Sequence, residues 1–323
     1  MLGKRFYLGS VLLVLLIATA IMVTIGAFAQ WQRVGAQPQE DTRSIVFVPV
    51  DTDTLIVLAG MKRYGVFYSV CNPEFMIWSP WQKTGLDEFA LYDPSSDDPA
   101  QVNTLARQGT RVFAGTSSGK ILWSQDDTVF YTNPWIESSG LPGDPIMDIK
   151  VANNGDILAA VRGSGIYKST DMGETFSLLA GTQGAGSGNF MSIALHFNYS
   201  TNGKFWAVTQ EGLVLSGGIY FWNGSEWTDL TPIGQYSLSS IVISPEAGDP
   251  SHIWAGDLKG SGLLESQDLG QTWSSYSNLC DPVLILNIPP NFDPFNPQLF
   301  IGTTIGLFHL VNYSVQDIYP TGL

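Results

Sequence analysis

The sequence predicts an all-β protein built as a single β-propeller. Three observations carry this. A short phrase of strand and glycine turn recurs six times, its spacing is close to constant, and no stretch after residue 30 keeps a helical period over three turns. The phrase is a strand ending in small residues, followed by a glycine turn and a second strand. It reads Leu55–Gly60 then Gly65–Ser69, and Arg111–Gly115 then Gly119–Ser124. It returns at Ile157–Ala160 then Gly165–Tyr167, and at Lys204–Val208 then Gly212–Ser216. The last two copies are Ile253–Gly256 then Gly262–Leu264, and Leu299–Gly302 then Gly306–Leu310. The markers Gly60, Gly115, Ala160, Val208, Gly256 and Gly302 lie 55, 45, 48, 48 and 46 residues apart. A period of this size is one propeller blade, so six blades are expected, with seven as the alternative count.

Each unit opens with a further apolar strand, such as Ile45–Val48, Ile149–Val151 or Ile241–Ile243. A fourth follows in the clearest copies, at Phe176–Leu179 and Trp273–Tyr276. Short runs of β-branched and aromatic residues between Gly, Asp, Asn and Pro turns are strand signals. One four-stranded unit cannot cover both of its faces, so the units must stack around a ring. Trp31–Val34 resembles an outer strand placed ahead of the first unit, and little chain follows Leu310. We therefore expect Trp31–Val34 to complete the last blade and hide its edge, with Val315–Tyr319 as the competing strand.

Ahead of the repeats, Lys4 and Arg5 precede an uncharged run from Phe6 to Ala29. Twenty-four such residues suffice to cross the hydrocarbon layer as a helix, and the basic pair favours a cytosolic amino end. Residues 1–29 are read as a signal-anchor or signal peptide and residues 30–323 as the propeller. The body is then extracytoplasmic, periplasmic or at the cell surface, and held to the membrane by the N-terminal helix. Ala27-Phe28-Ala29 offers the alternative of cleavage and secretion.

Composition narrows the function. The 323 residues carry 15 Lys+Arg against 29 Asp+Glu, a net charge of −14. Nucleic-acid binding requires the opposite balance. Two cysteines exclude a disulfide framework and a four-thiolate zinc site; Cys71 and Cys280 are read either as a pair or as separate buried thiols. His196, His252 and His309 show no metal-ligand spacing, so neither metal nor cofactor is expected. The acidic stretch Asp93–Pro99 offers oxygen ligands without a fixed calcium spacing.

Two turns share an S-x-D-x-G-x-T-aromatic pattern, 97 residues apart. They are Ser169, Asp171, Gly173, Thr175 and Phe176, and Ser266, Asp268, Gly270, Thr272 and Trp273. A short carboxylate can accept backbone N–H bonds inside such a turn, and glycine permits positive φ. These aspartates are therefore structural and not catalytic. Ser69–Asn72 and Ser124–Asp127 look like worn copies.

The pattern resembles the Asp-box of bacterial neuraminidase-type repeat proteins, with the repeat rhythm covering about residues 40–312. Similar boxes occur in sialidases, xyloglucanase-like glycosidases, sortilin-type receptors and photosystem II assembly factors. The resemblance implies a propeller and leaves its use open. A sialidase would carry an arginine cluster and an Arg-x-Pro phrase at the first blade, and neither is present. Asp148, Asp51 and Asp53 lie near strand ends and are read as solvated surface. Trp78, Trp81 and Trp135 sit beside loops and are the candidate platform for a protein partner or a glycan. The expectation is a non-enzymatic interaction propeller, engaged in assembly or stabilisation of a membrane complex. The alternative is a secreted glycoside hydrolase or glycan-binding protein.

Overall fold

The computed structural model describes residues 42–317, apart from 51–53, 73–76, 87–99, 109–110, 125–134, 182–184, 186–187, 213–215, 277–278, 280 and 290–291. The strands form six antiparallel sheets taken in chain order, the blades of a β-propeller. Blade 1 holds β1 (Thr42–Pro49), β2 (Leu55–Met61) and β3 (Val66–Asn72), with an outer strand split into β4 (Ile77–Trp78) and β5 (Gln82–Lys83). Blade 2 holds β6 (Val102–Gln108), β7 (Arg111–Thr116), β8 (Ile121–Trp123) and β9 (Ile136–Glu137). Blade 3 holds β10 (Ile146–Val151), β11 (Ile157–Val161), β12 (Gly165–Ser169) and β13 (Ser177–Ala180). Blade 4 holds β14 (Phe190–Leu195), β15 (Phe205–Thr209), β16 (Ile219–Trp222) and β17 (Trp227–Asp229), with one helical turn, α1 (Tyr199–Asn202), between its first two strands. Blade 5 holds β18 (Leu238–Ile243), β19 (Ile253–Asp257), β20 (Leu263–Ser266) and β21 (Ser274–Ser275). Blade 6 holds β22 (Val283–Asn287), β23 (Gln298–Thr303), β24 (Leu307–Val311) and β25 (Ser314–Asp317).

The six-blade reading and the marker spacing hold. The small markers have a steric cause. A Cβ on Gly60 would lie 2.6 Å from Val102, and one on Gly256 would lie 2.5 Å from Val283. In blades 1, 2 and 5 the second strand is bare there because the inner strand of the next blade crosses it; Ala160 and Val208 hold the position in blades 3 and 4. Two residues before each marker the rule reverses. Leu58, Phe113, Leu158, Trp206 and Trp254 are at most 2% exposed, each in the cluster shared with the following blade. Truncating such a side chain would cost about 3–5 kcal/mol.

A polar ladder ties the inner strands together as well. The residues paired with the markers are Ser44, Thr104, Asp148, Ser192, Ser240 and Ile285. Ser44 Oγ accepts the Leu105 N–H at 2.9 Å, and Asp148 Oδ2 accepts the Ile193 N–H at 2.9 Å. Ser192 Oγ accepts the Ile241 N–H at 3.4 Å, and Ser240 Oγ accepts the Leu286 N–H at 3.2 Å. Thr104 holds the second position, and its neighbour Asn103 donates to the Ile146 carbonyl at 2.9 Å. A first strand at the ring centre has no sheet partner on its inner edge. Ser44, Asp148, Ser192 and Ser240 satisfy N–H groups there that would otherwise be buried without an acceptor, and Asn103 satisfies a carbonyl. Asp148 is thus a buried joint and not the solvated surface expected of it.

Three other expectations change. β25 pairs with β24 through Val311↔Ser314 to Phe308↔Asp317, so the last blade takes its outer strand from the chain that follows it. Trp31–Val34, expected there, lies outside the described residues, as do the apolar run 6–29, Asp51, Asp53 and Asp93–Pro99. Ser69–Asn72 is not a worn turn. β3 runs on through it, with Ser69 fully buried, its hydroxyl donating to the Ser79 carbonyl at 2.8 Å. Cys71 is a buried free thiol that burial pushes up to about 11, while Cys280 lies outside the described residues.

Asp148→Ala removes acceptors for Ile193 N–H and for the Ser192 hydroxyl at 3.2 Å in a buried site. It should destabilise the fold by about 2–3 kcal/mol, read as the shift in urea midpoint. Ser240→Ala, with a single such bond, should cost about 1 kcal/mol.

Candidate functional site

The two signature turns are structural corners. Asp171 Oδ1 accepts the Thr175 N–H at 3.0 Å and the Ser169 hydroxyl at 2.7 Å, and its Oδ2 accepts the Thr175 hydroxyl at 2.5 Å. Asp268 repeats this with Thr272 N–H at 2.8 Å, the Ser266 hydroxyl at 2.8 Å and the Thr272 hydroxyl at 2.6 Å. Burial works to raise the Asp171 carboxyl, but the hydrogen bonds from Thr175 and Ser169 outweigh it and bring it down to about 2. The hydrogen bonds from Thr272 lead in holding Asp268 below its ordinary value. Gly173 turns at φ 85° and presses on the preceding blade, where a Cβ would lie 2.3 Å from Phe113.

The sequence did not show that each corner also docks on its neighbour. The Ser138 hydroxyl donates to the Gly173 carbonyl at 2.6 Å. Arg111 donates to the Met172 carbonyl at 2.7 Å while its guanidinium lies 4.0 Å over Trp123. In the second corner Trp273 Nε1 donates to the Leu230 carbonyl at 2.9 Å. Phe176 is buried and Trp273 is half-buried, so both aromatics pack as expected. The residues between Asp and Gly are Met172 and Leu269, at φ 62° and 63°, a region that large apolar side chains seldom adopt. They are 49% and 37% exposed.

The three loop tryptophans separate. Trp78 and Trp81 come together, half-buried with Ile45 and Phe47 on the face of blade 1 turned away from blade 2. Trp135 instead packs on the cluster between blades 1 and 2, and its Nε1 is buried without a hydrogen-bond partner. The expected three-residue platform does not form.

Other exposed apolar side chains stand on the loops. Antiparallel order puts the first-to-second and third-to-fourth strand connections of every blade on one face of the ring. That face carries Phe295 (94% exposed), Phe197 (47%), Val50 (40%) and Tyr313 (49%), besides Met172 and Leu269, while the opposite face carries Ile233, fully exposed, Ile305 and Tyr64. The rim of the first face is held by histidines. His196 Nδ1 accepts the Asn198 N–H at 2.9 Å, and its Nε2 lies 3.4 Å from Asp249 of blade 5. His252 stacks on Trp254 at 5.1 Å, and its Nε2 lies 3.3 Å from the Tyr313 hydroxyl of blade 6. Burial holds His252 below its ordinary value, against the pull of Glu265 and Glu246. Burial likewise lowers His309. These contacts run between distant turns, so no local sequence motif announces them. The opposite face has a shallow depression of about 430 Å³, where Lys120 pairs with Glu137 at 2.9 Å.

Asp171 and Asp268 are occupied by their own turns, Glu174 pairs with Arg111 of the preceding blade at 3.4 Å, and among the described residues no three His, Cys, Asp or Glu side chains gather as a metal site.

No family model matches the chain, and no curated protein matches it in sequence. Solved structures match in fold. An ancestral GH74 enzyme aligns over 87% of this chain with TM-score 0.65 at 12% identity, and the chain spans 40% of that protein. A GH74 enzyme from Niastella koreensis aligns over 83% with TM-score 0.55 at 15% identity, 45% of its length being spanned. YCF48 from Cyanidioschyzon merolae aligns over 84% with TM-score 0.51 at 13% identity, and 96% of that chain is covered. At these identities the likeness shows the fold alone.

Asp171→Ala should lower stability by about 1–2 kcal/mol through lost hydrogen bonds. The carboxylate's own contribution should be complete above its unfolded value of 3.8 and vanish as pH falls through about 2. The depressed histidines act earlier. Unfolded His takes up protons near 6.5 while His252 and His309 resist, so stability should already decline as pH drops below 6.5. Tm measured from pH 8 to 2 should show both steps, the first removed in a His252→Gln, His309→Gln chain.

Proposed function

We propose that this chain is a non-enzymatic interaction propeller that presents one face to a protein partner. The reading rests on one observation: the exposed apolar side chains of the loops that carry Phe197 and Phe295. Loops on a rigid ring suit binding, and two near-fully or half-exposed phenylalanines on one face are a costly surface to leave wet. The near-complete coverage of YCF48 by this chain supports a whole-molecule correspondence, where the GH74 enzymes are matched over less than half their length.

The setting we infer is extracytoplasmic and membrane-anchored. Residues 6–29 would be the anchor, and twelve residues, 30–41, separate it from Thr42, the first residue of β1. β1 begins at the end of the ring opposite the Phe197 and Phe295 loops. A retained anchor would therefore turn that opposite face to the bilayer and leave the phenylalanine face free. Assembly or stabilisation of a membrane complex is the role this arrangement fits. The two corners belong to this scaffold as Asp-box turns.

A second reading, a glycoside hydrolase or glycan binder, is favoured by the GH74 likeness. Chemical cross-linking of membranes holding the full chain should recover one partner in fixed stoichiometry. Phe197→Asp with Phe295→Asp should reduce that recovery at least about tenfold and leave Tm unchanged. No partner, together with sugar release from polysaccharides or sialosides, would replace the first reading by the second; binding without release would indicate a lectin.

A further inference from the structure

His252 stands one residue ahead of β19, 4% exposed, at the rim between blades 5 and 6. Its surroundings fix its ring proton. Glu246 accepts the Ser251 N–H and the Ser244 hydroxyl on one carboxylate oxygen, and the Ser251 hydroxyl on the other. Ser251 has a single hydroxyl proton, and Glu246 holds it. Toward His252 Nδ1, 2.7 Å away, Ser251 Oγ can then only accept, so Nδ1 carries the proton. Nε2 is left as an acceptor, and the Tyr313 hydroxyl of blade 6 lies 3.3 Å from it. The Glu265 carboxylate, 5% exposed, stands 3.7 Å from the same nitrogen. One Glu265 oxygen accepts the Tyr276 hydroxyl at 2.6 Å; the other, nearest His252, accepts Gln267 Nε2 at 3.4 Å. His196 at the neighbouring joint is arranged the other way. Its Nδ1 accepts a backbone N–H, so its Nε2 carries the proton and already points at Asp249.

We propose that His252 is a pH-operated latch between blades 5 and 6: neutral, it accepts the Tyr313 hydroxyl and holds the β24–β25 turn; protonated, it turns Nε2–H to Glu265 and releases Tyr313. The incoming proton has one place to go, since Nδ1 is filled. Nε2–H then faces a buried carboxylate on one side and a neutral hydroxyl on the other, and the bond between two charged groups is the stronger. The ring is stacked on Trp254 with 9° between the planes, so it can slide toward Glu265 without leaving that contact. Tyr313 stands at φ 61°, a region that large side chains seldom adopt, and is 49% exposed, so its side chain can swing out once the bond is lost. The charged groups facing His252 are Glu265 of β20 and Glu246 of the β18–β19 loop. Tyr313 and Tyr276 face the same pocket of bonds, and Asp293 lies on the loop whose Phe292 packs on the ring at 6.2 Å. Burial outweighs the pull of both carboxylates, so the latch stays closed at neutral pH and opens only in acid, below 6.5. Asp293 also accepts the Phe295 N–H at 2.9 Å, so opening reaches that exposed residue. Its effect on binding rests on the reading of that face given above; the latch itself does not.

The test uses the full chain in detergent, with nitrogen-15 in the histidine rings. Three histidines give three sets of ring signals, and His252→Gln identifies one by its loss. At pH 7.5 His252 should be the Nδ1–H form and His196 the Nε2–H form. An Nε2–H form of His252 would overturn the proposal, and so would unfolding before its ring takes up a proton. Release is read separately, from 3-fluorotyrosine incorporated at Tyr313. On acidification its fluorine signal should shift with the same midpoint as the His252 ring, and the step should be missing in His252→Gln. Glu265→Gln should move the shared midpoint down by about 1 pH unit. A Tyr313 signal that ignores the His252 titration, or a step that survives His252→Gln, would overturn the proposal. Should the variants fail to fold, the tautomer and the two midpoints in the unsubstituted rim still decide it.

Discussion

The joint between neighbouring blades is the contact on which the rest of the molecule depends. A blade has two faces and no interior of its own, so its stability is borrowed from the next. The joints draw on three devices: a large side chain such as Phe113 or Trp254, a residue that lets the next inner strand cross, glycine in blades 1, 2 and 5, and a polar side chain that bonds an inner-strand backbone group, as Asp148 does for Ile193 N–H. The devices are linked. The small residue brings the strands close enough for the polar bond, and that closeness removes water from the large side chain. Changing one loosens the other two.

The signature turns extend the same logic outward. Asp171 closes its turn, and the closed turn then rests on Phe113, Ser138 and Arg111 of the blade before it. Asp268 does the same against Leu230. The corner therefore acts as a clamp at the outer edge of a joint whose inner edge is the polar ladder. His252, bonded toward Tyr313, makes a third attachment at the rim between blades 5 and 6. Each clamp spends polar groups on internal bonds, which is why carboxylates so prominent in the sequence offer so little free chemistry.

How far the sequence could be read follows from which interactions are local. The second strand of every blade was legible, and the third in all but blade 4, because the markers and the glycine turn are fixed by neighbours in a single hairpin; in blade 4 the third strand is Ile219–Trp222 and not the expected Gly212–Ser216. The two corners were legible because the hydrogen bonds that close each turn fall within seven residues; the bonds that dock the corners on the preceding blade span 35 residues or more and were not. Asp148 was misread since its partners, Ser192 and Ile193, sit a whole blade away. The outer strand Ser314–Asp317 was misplaced for a related reason. Nothing apolar and periodic marks an outermost strand, which needs only one sheet neighbour, and a two-residue turn with positive φ at Asn312 and Tyr313 gave no glycine signal. Trp78 and Trp81 were expected to be exposed and are half-buried. Tryptophans beside loops read as exposed, yet the outer strand of blade 1 is broken between them, and the break carries both onto the sheet face.

The same locality explains why the last blade's departure from the others escapes a reading by repeat alone. Ile285 is a conservative residue for an inner strand and would not stand out in any single blade. Set beside Ser44, Asp148, Ser192 and Ser240, it is an apolar side chain at a position where those inner strands carry an acceptor for an N–H of the next. Phe300 differs too, half-buried where its counterparts in the other blades are at most 2% exposed. A repeat describes what its units share, so a position that changes character in one unit shows only when the units are laid side by side in register.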